Sequence, residues 1–147
     1  RRPLDQLRMK LSDEAVRVYA AEDATAVALV QGAEQAHLVG LAAHEGRGRP
    51  TYGEDQRRWD HALPVASTDW PSPSTVVGGD LILAWPDRDG WHLSRYDWAD
   101  GSERWTQTIG ERVIGIHDAG DHVLVVRSHS LEVRALKTGA VEHAISE

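Results

Sequence analysis

His117, Asp118, Asp121 and His122 fall within six consecutive positions, HDAGDH (117–122), and imidazoles beside carboxylates are donors from which zinc sites are built. The same hexapeptide reads more simply as a hairpin, because Asp and Gly at its centre are turn formers and strand alternation divides the two histidines between faces. DRDG (87–90) resembles the opening of a calcium loop. Position 91 is Trp instead of a third oxygen donor, and Trp98 stands where a closing Glu belongs, so a hairpin turn is expected there as well. GEDQRRWDH (53–61) gathers acids and bases that read as a solvated loop. VVGGD (76–80) joins strand to strand, not strand to helix, so it is no phosphate loop, and Gly-x-Ser-x-Gly is absent. With no cysteine, thiol catalysis, disulfides and cysteine-bound zinc are excluded. These patterns lead to the expectation of no catalytic, cofactor-binding or metal-binding residues. The remaining candidate for recognition chemistry is aromatic: Trp85, Trp91 and Trp98 could form a platform for a small molecule or glycan. On alternating strands, Trp91 and Trp98 would face opposite ways, which weakens that reading.

The elements that position these residues read as strands. The chain has 147 residues, 41% of them hydrophobic and 27% charged, which suits one globular domain. Its net charge of −7 repels phosphate backbones and argues against nucleic acid as a partner. No apolar run approaches the ~20 residues needed to span a bilayer, so no direct membrane insertion is expected. Short Val- and Leu-rich runs recur from residue 15 to residue 146, bounded by Gly, Asp, Ser or Pro, with turn signals at 87–90, 99–101, 119–121 and 137–139. Residues 1–14 form a flank or a partial strand, although Leu4, Leu7 and Leu11 also have helical spacing. The chain begins with Arg and carries no secretory leader, which suggests a trimmed piece of something longer.

The runs repeat. DLILAWPDRDGWHLSRYDWADGSERW (80–105) and DHVLVVRSHSLEVRALKTGAVEH (121–143) share an order: Asp, an apolar strand, a short turn, a second strand, and a Gly turn into a third. Asp80 aligns with Asp121, Leu93 with Leu131, Gly101 with Gly139 and Trp105 with His143. A looser copy occupies 23–59, where Trp59 takes the place of Trp105 and a polar, Gly-rich insertion precedes it (45–58). A period of roughly 40 residues with four short strands is the signature of propeller blades. The expected fold is all-β: about three four-stranded antiparallel blades, approximately 15–65, 66–110 and 111–147, forming a partial or fragment β-propeller.

LSRYDWADGSERW and LEVRALKTGAVEH resemble the repeat of the quinoprotein alcohol dehydrogenase-like, or PQQ-like, propellers: a strand ending near Ala-x-Asp, an Asp-Gly or Thr-Gly turn, then a Trp. The combined Gly-His … Trp-Asp signature of WD40 blades is absent, since no Gly-His occurs. The resemblance implies that Trp59 and Trp105 are pegs packing toward the next blade, locked by the Gly turn before them. Gly101, Gly139 and Asp97 would then be structural, with Asp97 accepting backbone N–H bonds in its hairpin. The resemblance also raises quinone-dependent dehydrogenase activity. Such enzymes hold a metal with Glu, Asn and Asp in a complete ring, and this chain has no Asn.

The functional expectation is therefore a non-enzymatic scaffold mediating protein–protein interaction, without a cofactor. Its partner would be another protein or further propeller blades, and a homo-oligomer would close its open faces. Family likeness favours an extracytoplasmic ectodomain. Candidate interaction residues are Trp70, read as exposed in the loop STDWPSPS (67–74), and Arg47, Arg49 and Tyr52 of the insertion. The alternative is a sensor or ligand-binding domain for a small molecule or glycan, and a third is a fragment of a quinone-dependent dehydrogenase.

Overall fold

The computed structural model describes residues 8–10, 15–22, 25–44 and 51–146. They form thirteen strands in three sheets, and no described residue is helical. The protein is all-β, and its sheets are a partial set of propeller blades. Among the described residues no helix is long and apolar enough to cross a membrane.

The first sheet contains β1 (Arg8–Lys10), β2 (Ala15–Glu22), β3 (Thr25–Gln31), β4 (Ala36–His44) and β5 (Thr51–Ala62) in the order β1-β5-β4-β3-β2. β1 runs parallel to β5 and the other pairs are antiparallel. The stretch expected as strand or helix thus contributes a strand at 8–10, and the rest of 1–14 apart from that strand lies outside the described residues. The insertion expected over 45–58 is also corrected. From Thr51 onward the chain pairs with β4, Tyr52 opposite Ala43, and 45–50 lies outside the described residues. Polar composition hid this strand, whose ladder needs only backbone groups.

The second sheet runs β6 (Ser74–Val77), β7 (Asp80–Asp87), β8 (Gly90–Asp97), β9 (Glu103–Ile109), and the third β10 (Val113–Ala119), β11 (His122–Arg127), β12 (Ser130–Ala135), β13 (Val141–Ser146). Both are consecutive antiparallel meanders. Tight turns at DRDG and DAGD join β7 to β8 and β10 to β11.

Contacts divide the chain into two units, one containing the described residues up to Asp69 with Trp98–Ser102, the other Trp70–Asp97 with Glu103 onward. In the first unit, Ala26, Val27, Ala28 and Leu29 of β3 and Leu38, Val39 and Leu41 of β4 are fully buried, so β3 and β4 are covered on both faces. In the second, Ile82, Ala84, Leu93 and Ile109 form one core with Val113, Ile116, Val123 and Val125. That core lies between the second and third sheets, and removing such side chains from water is the main term holding them together.

Candidate functional site

In the first unit, Trp59 sits on β5 opposite Gly40 and is buried. Its indole Nε1 donates to the Trp98 carbonyl at 3.0 Å. One side of its ring lies where a Cβ on Gly40 would be, and the other where a Cβ on Gly101 would be. Gly101 has φ +75°, a backbone that glycine adopts without penalty. Asp100 shapes that turn, accepting the Ser102 N–H at 2.9 Å.

The second unit repeats this geometry 38 residues on in its acceptor turn, Leu136 for Trp98 and Gly139 for Gly101. Trp105 Nε1 donates to the Leu136 carbonyl at 2.9 Å, and its ring lies 2.6 Å from where a Gly139 Cβ would stand. Gly139 has φ +79°. The glycine that receives each Trp is therefore the one 42 or 34 residues later, Gly101 for Trp59 and Gly139 for Trp105, and not the glycine of the turn just before it. Gln107 adds a bond from Nε2 to the Thr138 carbonyl at 3.0 Å.

Charged groups reinforce the second dock. Asp80, 2% exposed, takes Arg95 Nε at 2.5 Å and Arg104 Nε at 2.7 Å on one carboxylate oxygen. Arg95 Nη1 also donates to the Leu136 carbonyl at 2.8 Å, so that oxygen accepts from Arg95 and Trp105 together. From the receiving side, buried Arg134 donates to the Gly139 carbonyl at 2.8 Å and pairs with buried Glu132. The sequence offered only a weak signal for these residues, charges placed inside strands that pair on both sides. Asp97 receives Arg104 Nη2 at 2.6 Å.

Of the interaction residues expected from sequence, Trp70 is the one whose side chain the structure describes. Trp70 is 8% exposed, so it is no exposed anchor. The segment before it is drawn in by Gln31, whose Nε2 donates to the Ala66 carbonyl and whose Oε1 accepts from both N–H and Oγ1 of Thr68. Arg47 and Arg49 lie outside the described residues, and Tyr52 is placed only by its backbone pairing. The aromatic trio is no platform either: Trp85 and Trp98 are buried, and Trp91 packs against the core. Trp85 stacks on His92 with centroids 4.5 Å apart and donates to Ser94 Oγ at 3.0 Å.

The polar clusters also resolve into structure. Asp118 accepts the Gly120 N–H at 2.9 Å in its hairpin, and His122 pairs with Glu142. Asp87 accepts the Asp89 N–H at 2.8 Å and lies 2.7 Å from His92 Nε2. Partial burial pushes the Asp87 pKa up, but the Asp89 N–H, the His92 ring and the Gly90 N–H outweigh it and hold the carboxyl below 3.8. Asp60 of the 53–61 run is bridged by His37 and Arg57, each at 2.6 Å. An open cleft of about 550 Å³ lies at the receiving turn, with Arg95, His122, Lys137, Asp121 and Glu142 on its walls. Both signs of charge meet there, and His122 and Glu142 already satisfy one another.

No family model matches the chain, and no curated protein does. Solved structures do. BamB from Moraxella catarrhalis superposes with a TM-score of 0.59 at 14% identity, over 90% of this chain and 35% of its own. A europium-containing methanol dehydrogenase superposes with a TM-score of 0.55 at 15% identity, over 86% of this chain and 23% of its own. The chain thus spans about a third and a quarter of their lengths. In fold, its three sheets are β-propeller blades like those of these two structures.

Proposed function

We propose that this chain is a non-enzymatic scaffold whose blades bind protein, in an extracytoplasmic setting. The observation that carries the reading is how its chemically capable side chains are used. Trp59, Trp105, Arg95 and Arg134 spend their donors on turn carbonyls, and Asp80 and Glu132 neutralise the arginines. A catalytic site needs such groups turned toward a substrate with hydrogen-bonding capacity to spare. Here they are committed to joining one element to another. The structural likeness to a methanol dehydrogenase supports the fold and leaves its chemistry with that protein.

The test is direct. The purified chain is incubated with pyrroloquinoline quinone, methanol or ethanol, Ca²⁺ or Eu³⁺, and an electron-accepting dye. The expected result is dye reduction no faster than in protein-free controls. Turnover proportional to protein concentration would overturn the scaffold reading in favour of a dehydrogenase fragment.

A further inference from the structure

The three sheets share one irregularity, and it identifies a third peg. Trp59 pairs with Gly40, but the next pair is Leu41 with Arg57, so Arg58 bulges out. Trp105 pairs with Arg95, and then Tyr96 with Glu103, leaving out Arg104. His143 pairs with Val133, and then Arg134 with Val141, leaving out Glu142. In each sheet the peg residue directly follows a one-residue bulge on the last strand, a device that re-aims the side chain beside it. The first two pegs are seated in Gly turns. His143 is exposed.

The surface around His143 matches. Pairing places Leu124, Val126, Leu131, Val133, His143 and Ile145 on one face of the third sheet. Counted from the strand starts and the Gly turns, these positions correspond to Ile82, Ala84, Leu93, Arg95, Trp105 and Gln107 of the second sheet. There Ile82, Ala84 and Leu93 are fully buried in the core shared with the third sheet. On the third sheet Leu124, Val126, Leu131 and Val133 are only half-buried and Ile145 is 64% exposed. Apolar side chains stand where a covering sheet would bury them.

A second copy of this chain does not supply the cover from its described residues. Its turns at Gly101 and Gly139 are already filled by Trp59 and Trp105, and β3 and β4 of its first sheet are buried on both faces. We propose that the outer face of the third sheet docks one further four-stranded blade that brings its own turn. In that turn a carbonyl at position i and a glycine of positive φ at i+3 receive His143, whose ring N–H donates to the carbonyl. The spacing follows from Trp98 with Gly101 and Leu136 with Gly139. This specifies the partner of the scaffold reading and rests on it, yet its test involves no turnover, so either can fail alone.

The chain has no cysteine, so Ile145→Cys places a single thiol on this face, at a side chain too exposed to matter for folding. Maleimide labelling is measured for the full chain and for the full chain extended after Glu147 by a second copy of residues 111–147, which carries the turn Leu136-Lys137-Thr138-Gly139. Labelling at least tenfold slower in the extended chain is expected, with the rate restored by Gly139→Val made in the appended copy only. Amide exchange of β13, read in the same two proteins, is expected to slow in parallel. Equal labelling and exchange with and without the appended blade would overturn the proposal. Protection of the unextended chain that grows with its own concentration would overturn it too, and would assign the face to a second copy.

Discussion

At the scale of single residues, a glycine can be required for its backbone, for its missing Cβ, or for both, and this chain separates the two. Gly120 and Gly139 have nearly the same backbone, φ +76° and +79°, but nothing lies within 4 Å of a Cβ on Gly120, whereas Trp105 fills that space at Gly139. Ala at either position costs about 1–2 kcal/mol for the left-handed conformation. Only Gly139→Ala must also displace the indole, so it is expected to destabilise by at least about 1 kcal/mol more than Gly120→Ala in urea unfolding. In a Trp105→Ala background most of that excess should vanish, the remainder coming from Gln107, whose Cγ lies 2.9 Å from the same Cβ position, and that coupling is the signature of a direct contact in a double-mutant cycle. A second contrast concerns charge. Removing Asp80 leaves Arg95, 17% exposed, and Arg104 without their shared partner, and Asp80→Asn is expected to cost about 3 kcal/mol. Asp97→Asn breaks a pair whose arginine is 47% exposed and should cost less than about 1 kcal/mol.

At the scale of the element, the β7–β8 hairpin carries a built-in pH dependence. The folded state holds the Asp87 carboxyl below 3.8, so the hairpin is stabilised by the deprotonated form. That contribution is complete above the unfolded pKa and lost as pH falls through the lower folded value. Asp87→Asn should therefore be less stable than the native chain at about pH 6 and match it near pH 2. Thermal melts of both proteins across that range check the sign. The same hairpin shows what was legible beforehand. Asp-Arg-Asp-Gly between alternating apolar runs dictates a turn through local geometry, so strands from β2 to β4 and from β6 to β13 could be read within a few residues. β5 could not, because Thr51–Ala62 is held by backbone pairing that leaves no hydrophobic pattern. The partners of the pegs were equally hidden. Trp59 meets a glycine 42 positions away and Trp105 one 34 positions away, and no local rule couples such positions. Trp70 misled for a related reason: its polar, Pro-rich neighbours describe a loop, and no local pattern encodes that the side chain is buried.

At the scale of the whole molecule, repeats of this kind distribute stability in nearest-neighbour fashion, each sheet owing its persistence to its own ladder and to what covers its faces. The two units are unequal in that respect. β3 and β4 are buried on both faces, while β13 is exposed along its full length, with Val141 45% and Ile145 64% exposed. An uncovered edge strand opens more readily than a central one, so amides of β13 should exchange fastest among the strands of its sheet, and those of β11 and β12 more slowly. Cooperativity can be probed from the opposite end. Leu38 is fully buried on β4, and Leu38→Ala should cost about 2–5 kcal/mol. If stability is local, that loss will appear as faster exchange throughout β2–β5, with β11 and β12 slowed or hastened by less than about a third as much in free energy. Equal loss of protection in all three sheets would instead mark the chain as one cooperative body. The docking proposed for the outer face of the third sheet needs the first behaviour, since that face must stay folded while its cover is absent.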